Sequence, residues 1–405
     1  MRARGFLMLA GLVSTPALAD PITLKPLIDV RLRYEGVDQK PLANDADALT
    51  ARIRSGFEAK AGDFSLLAET EATLAIAGHY NSGLNGKTAY PLVPDPQNVE
   101  LNRLQLQYRG LPGTVVTVGR QRINLDDQRF VGSVGWRDNE QSFDAARLEW
   151  TGLKGVKADL TYARTDRTIW GVDGGNRFGR ARLQGIDGDN IFANLAYSTK
   201  IGTLTGFAYL IDQDEAPVRA NSSATYGARF AGAQPLGKAV KLTYAVSVAT
   251  QSDYKSNPNS YRAHYYAGDL GLGIGAFTVG AGFEILGADK GAALTSFQTP
   301  LATLHKFNGW ADKFLVTPPN GLRDGYGAIG YGWKKVAGLD AIGLTAVYHR
   351  FGSDRLGQRY GDEVDMQLSA RRGRYTALVK YADYNAHSFA RDTRKLWLSL
   401  EWSLS

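Results

Sequence analysis

The side chains best equipped for chemistry in this sequence are arginines, many of them two residues apart or clustered: Arg31 and Arg33, Arg52 and Arg54, Arg103, Arg120 and Arg122, Arg129, Arg137 and Arg147. A guanidinium is permanently charged, and its planar fork matches a carboxylate in a bidentate contact. In this pattern it does one of two things. It lines a constriction that attracts anions, because rings of fixed charge set selectivity. Alternatively, it pairs with a carboxylate on a neighbouring strand and braces a wall. Arg52 and Arg54 against Glu69 and Glu71 fit bracing, and either role remains open for each arginine.

Enzymatic chemistry has little to work with. The five histidines, His79, His264, His305, His349 and His387, are scattered at no metal-ligand spacing. A hydrolase needs a Ser or Thr nucleophile beside a His base, and the one pairing worth naming is His349 near Asp365 on the following strand. With no cysteine there are neither disulfides nor thiolate metal sites. The glycines from Gly271 to Gly275 lack the Lys-Ser/Thr ending of a phosphate loop. No catalytic residue, metal or cofactor is expected.

The elements that must position the arginines are strands. Ile28, Val30, Leu32 and Tyr34 alternate with Asp29, Arg31, Arg33 and Glu35, and the same period of two recurs down to Leu396, Leu398, Leu400, Trp402 and Leu404. Tight turns are expected at Ala61-Gly62, Gly110 to Gly113, Thr151 to Gly155, Thr199 to Gly202, Gly271 to Ala276 and Arg371 to Arg374. Between them lie long polar links: Ala77 to Asn98, Arg122 to Gln141, Asp166 to Gly188, Asp212 to Ser223, Gly287 to Asp324 and Asn385 to Arg394. Short and long links in alternation distinguish a transmembrane barrel from a soluble sandwich. The fold class is therefore all-β: a single antiparallel transmembrane barrel of about 18 strands, with short periplasmic turns and long extracellular loops. Tyr34, Tyr108, Trp150, Tyr162, Tyr197, Tyr348, Tyr381 and Trp402 fall near strand ends, where amphipathic rings suit the membrane interface.

The first residues read as an export signal: Arg2 and Arg4, an apolar Phe6 to Val13, then Ala17-Leu18-Ala19, with cleavage expected before Asp20. Residues 1–19 are thus a leader and 20–405 the barrel, destined for the outer membrane of a Gram-negative bacterium. The chain has 47 Lys+Arg against 40 Asp+Glu, and no basic block that would mark a nucleic-acid arm. Because lipid tolerates no unpaired charge, strand charges must face the lumen. By parity the basic set there includes Arg31, Arg33, Arg52, Arg54, Arg103, Arg147, Lys157, Arg229, Lys241, Lys380 and Lys395. The acidic set includes Glu58, Glu69, Glu71, Glu149, Asp159, Glu284, Glu363, Asp365 and Glu401. That makes a mixed wall with a slight basic excess.

Two long links are unlike ordinary surface loops. One carries Gly119-Arg120-Gln121-Arg122, then Arg129-Phe130-Val131-Gly132, Trp136-Arg137 and Phe143-Asp144-Ala145; the other runs from Gln298 to Asp312 and includes Trp310. Arg, Asp and Trp mixed this closely suggest ordered loops folded back on themselves. At these residues the sequence resembles the alginate-export family of outer-membrane barrels, over nearly the whole mature chain. The resemblance implies a monomeric eighteen-stranded barrel with an electropositive lumen, passing a polyanionic uronate polymer passively to the exterior. It makes Arg120, Arg122, Arg129 and Arg137 candidates for lining the pore mouth, with Asp126, Asp127 and Asp144 as partners. Trp136 and Trp310 would either stack on sugar rings or anchor an inward-folded loop.

The expected function is passive passage of anionic solutes, including uronate-rich saccharides. The alternative is an enzyme or adhesin built on a barrel with a closed lumen. Expected partners are outer-membrane lipid, anionic small molecules or saccharides, and the barrel-insertion machinery, with no nucleic acid.

Overall fold

Strand periodicity over this length has one stable solution in a membrane: every backbone amide must find a partner within a closed sheet. In the computed structural model, which describes residues 21–177 and 180–404, the chain forms β1 (Thr23–Gln39), β2 (Ala46–Ala61), β3 (Phe64–His79), β4 (Asn98–Tyr108), β5 (Thr114–Gln121), β6 (Ser142–Trp150) and β7 (Val156–Arg167). A short hairpin, β8 (Gly175–Arg177) and β9 (Arg180–Arg182), interrupts the series. It resumes with β10 (Gly185–Ser198), β11 (Thr203–Ile211), β12 (Ser223–Leu236), β13 (Val240–Asp253), β14 (Arg262–Ile274) and β15 (Phe277–Leu286). It ends with β16 (Leu322–Val336), β17 (Leu339–Gly352), β18 (Arg359–Arg372), β19 (Tyr375–Ala386) and β20 (Thr393–Ser403). Apart from the hairpin, these strands make one 18-stranded antiparallel sheet. It closes where β1 pairs with β20, setting Val30 opposite Trp402 and Leu32 opposite Leu400. The expected leader, residues 1–19, lies outside the described residues. No helix of the described residues is long and apolar enough to cross a membrane.

The alternation separates two surfaces. Val30, Leu32, Ile53, Leu104, Leu106, Val246, Val248 and Leu400 are exposed on the outside, while Arg31, Arg33, Arg52, Arg54, Glu69 and Glu71 are buried within. Isolated in lipid, the second set would be prohibitive; facing a common interior, its members neutralise one another.

Several connections differ from the expected pattern. The glycine-rich run expected as a turn from Gly271 remains strand to Ile274. A Cβ on Gly271 would meet the Thr243 hydroxyl at 2.5 Å, so glycine there serves close strand packing. A two-residue reversal at Ala337-Gly338 escapes the sequence pattern. Both residues have positive φ, 52° and 77°, as a type I′ hairpin requires. The short links 40–45, 254–261 and 353–358 at the long-loop end were also not anticipated.

Candidate functional site

Two loops turn into the barrel instead of standing clear of it. In the link 122–141, Ile123, Leu125 and Val131 are buried in one apolar cluster with the wall residues Phe143, Phe192, Phe207 and Tyr209. Phe130 packs against Phe207, Tyr265 and Phe297 with ring centroids 5.0, 5.3 and 5.9 Å apart. Val131 bridges Leu301 of the link 287–321, and the Gly132 amide donates to the Leu301 carbonyl at 2.9 Å. Burial of this face holds both loops against β10 to β15, the apolar side of the lumen.

The opposite side is charged. Register sets Arg31 directly across from Arg52, an arrangement that repels unless carboxylates intervene. They arrive partly from loops. Asp138 accepts from Arg31 Nη2 at 2.7 Å and from the Thr50 hydroxyl at 2.6 Å. Asp95, from the link 80–97, accepts from Arg33 at 2.5 Å and from the Asp138 amide at 2.7 Å. Glu140 pairs with Arg54 at 2.6 Å and also with Arg122. Burial opposes the charge on Asp138, but Arg33, Arg31 and the Thr50 hydroxyl outweigh it, holding this carboxyl below the usual range.

The second loop is latched to β18, β19 and β20. Trp310 and Ala311 donate their amides to Asp365 at 3.2 Å and Glu363 at 2.6 Å. Asp312 accepts from Arg137 at 2.7 Å and Lys395 at 2.9 Å, and bonds His305 Nδ1 at 2.7 Å. Burial pushes the His305 ring well below its ordinary value despite Asp312. Neutral His305 therefore donates from Nδ1 to Asp312 and accepts at Nε2 from Lys380, 2.7 Å away. Trp136 stacks on His305 with ring centroids 4.5 Å apart. The Lys380 ammonium stands 4.2 Å from the Trp136 ring and 3.8 Å from that of Trp310.

The candidate residues distribute as follows. Arg52 pairs with Asp29 and Glu401, not with Glu69 or Glu71, whereas Arg54 does pair with Glu71. Glu69 takes Arg103 at 2.7 Å and Arg122 at 3.0 Å. Arg129 goes to Glu284 at 2.5 Å and Arg147 to Asp159 at 2.5 Å. Of the carboxylates implied as partners by the family resemblance, Asp127 accepts from that arginine set only the backbone amide of Arg129, at 3.1 Å, while Asp144 takes a guanidinium, accepting from Arg120 at 2.7 Å. That pair lies opposite exposed Leu104 in the register, on the outward side of the wall. Asp126 accepts from Asn194 at 2.9 Å, and Asp127 pairs with Arg229 at 3.1 Å. His349 stands 2.9 Å from Asp324 and 3.7 Å from Asp365. Every candidate arginine is thus ion-paired.

The latched segment 304–312 separates two cavities. Above it lies one of about 310 Å³ lined by Asp166, Trp170, Gln213, Pro300, Leu304 and Val316. Below it lies one of about 400 Å³ lined by Arg229, Asp269, Lys306, Trp310, Asp324 and Tyr326. Among the described residues, Lys380 has no carboxylate partner but is buried against His305, whereas the solvent-exposed inward cations of the strands without one lie at the short-turn end. There Lys25, Lys60, Lys157, Lys241, Lys334 and Arg371 continue the inward parity of their strands and are exposed. Lys60 meets Glu58 at 3.2 Å and Lys157 meets Glu149 at 3.0 Å. Lys25, Lys241, Lys334 and Arg371 form no ion pair among the described residues. The parity reading already placed Lys157 and Lys241 in the lumen. Lys25, Lys334 and Arg371 would have followed from extending it into the turns.

The model of the alginate export family matches residues 28–274. No curated protein sequence matches. Among solved structures, the outer membrane protein OpdK of Pseudomonas aeruginosa superposes with a TM-score of 0.70 at 14% identity, covering 94% of this chain and 98% of that one. OccAB4 of Acinetobacter baumannii gives 0.71 at 12% identity, covering 96% and 99%. OpdK crystallised with vanillate gives 0.68 at 14% identity, covering 94% and 98%.

Proposed function

This chain belongs to the alginate export family, a family of outer-membrane channels and not of enzymes, and from that premise we propose that it passes small anionic solutes passively, short uronates among them. One observation carries the reading: the exposed inward cations of the strands left without carboxylate partners are gathered at one mouth, the one formed by short turns, which in such barrels faces the periplasm. A ring of unpaired charge raises the local concentration of counter-ions and sets the sign of the permeant ion. The Arg ladder inside is neutralised by Asp95, Asp138 and Glu140, so it fixes the loops and shapes the bore.

Two further observations favour small solutes over a long polymer. The segment 304–312 is latched across the lumen by contacts to β18, β19 and β20. A similarly folded barrel, OpdK, has been crystallised with vanillate, a small aromatic carboxylate. Liposome swelling tests the reading. Vanillate and short uronate oligomers should enter protein-loaded vesicles faster than neutral sugars of equal size. Equal rates for charged and neutral solutes, or no swelling with any of them, would refute it.

A further inference from the structure

Asp166, at the end of β7, is 1% exposed, and neither of its carboxylate oxygens has a hydrogen-bond partner. It lines the upper cavity beside Gln213 and Asn221. The charges that bear on it are two more carboxylates, Glu215 and Asp187. Glu215 spends Oε1 on the Asp187 amide at 3.0 Å, while its Oε2 is buried without a partner. Nearby cations are engaged elsewhere. Lys255 holds Asp189 and Asp212, and Arg164 lies between Asp189 and Asp214. An isolated buried carboxylate with both oxygens empty is strongly unfavourable.

We propose that Asp166 and Glu215 hold a divalent cation of the calcium type, with amide or backbone oxygens and water completing its shell. Among the described residues no three carboxylate or imidazole side chains stand close enough to hold a metal by themselves. The site is therefore a two-carboxylate one, open to the cavity. Hard cations accept such mixed oxygen shells, and affinities of about 10⁻⁴–10⁻³ M are typical of extracellular sites. Bound there, the ion ties β7 to the link 212–222 and fixes the upper rim.

The test is thermal unfolding of the purified barrel in detergent, titrated with Ca²⁺ or Mg²⁺ against a chelator, for the native chain, D166N and E215Q. Saturable stabilisation of the native chain by Ca²⁺, lost in both variants, is expected, and D166N should unfold no lower than the native chain in chelator. If D166N does not fold, E215Q and calorimetric Ca²⁺ titration of the native chain decide. Native stability indifferent to both ions, an equal Ca²⁺ shift in the variants, or an infrared band of protonated Asp166 at neutral pH would overturn the proposal. None of these readouts depends on which solute the channel passes.

Discussion

Arg137 and Asp312, 175 residues apart in sequence and on different loops, meet at 2.7 Å inside the barrel. Through this contact the link 122–141 and the link 287–321 become one constriction, with Lys395 of β20 as the third member. Asp312 is buried, and yet His305, Lys395 and Arg137 hold its carboxyl well below the usual range.

Removing Asp312 should open the constriction. D312A leaves Arg137 and Lys395 buried with less compensation, a loss of about 3–5 kcal/mol for breaking a buried pair. Single-channel recording should show a larger, noisier conductance for D312A, and limited proteolysis should cut the loop. An unchanged conductance would mean that the loop is held by its other contacts alone.

Stability of the docked loop should rise with pH above neutrality. Lys313 is pushed down to about 7, by burial first and then by Lys395, with Asp312 and Glu363 opposing. Its folded pKa lies below its unfolded value of about 10.4, so the unfolded chain binds more protons between them. The penalty for charging Lys313 is complete below pH 7 and fades up to that unfolded value. K313M should abolish this dependence and dock the loop more firmly at neutral pH, read as fewer channel openings between pH 6 and about 10. The Asp312 carboxylate, whose pKa is depressed, contributes above the ordinary carboxylate range and is lost only as pH falls through its low folded value.

Trp136 should behave as an anchor. It covers His305 and faces Lys380, so W136A should lower loop protection in hydrogen exchange. Block of the channel by uronate oligomers should keep its concentration dependence once conductance is normalised. A selective loss of block would instead give the ring a direct role with sugars.

These contacts mark how far the sequence could be read. The strands were legible because a period of two is written locally, and register adds Arg54 to Glu71 from the adjoining strand. The inward loops were legible as unusual, through Phe130, Trp136 and Trp310, but their partners were not. Arg129 meets Glu284 across 155 residues and Arg31 meets Asp138 across 107. Such pairings depend on where a loop lands, which no local pattern specifies. The resemblance placed Arg120 at the pore mouth, whereas the register puts it opposite outward Leu104.

The cations at the short-turn mouth separate selectivity from bracing. Glutamate at Lys25, Lys241, Lys334 and Arg371 should leave folding intact, since these side chains are exposed and form no ion pairs. R54Q should mainly cost stability, because it strands Glu71 and Glu140.

The most direct measurement is the reversal potential of single channels in a planar bilayer under a KCl gradient, for the native chain and the fourfold glutamate variant. The native channel should prefer chloride, and the variant should lose or invert that preference at similar conductance. A native channel that prefers potassium, or a variant with the native reversal potential, would contradict that reading.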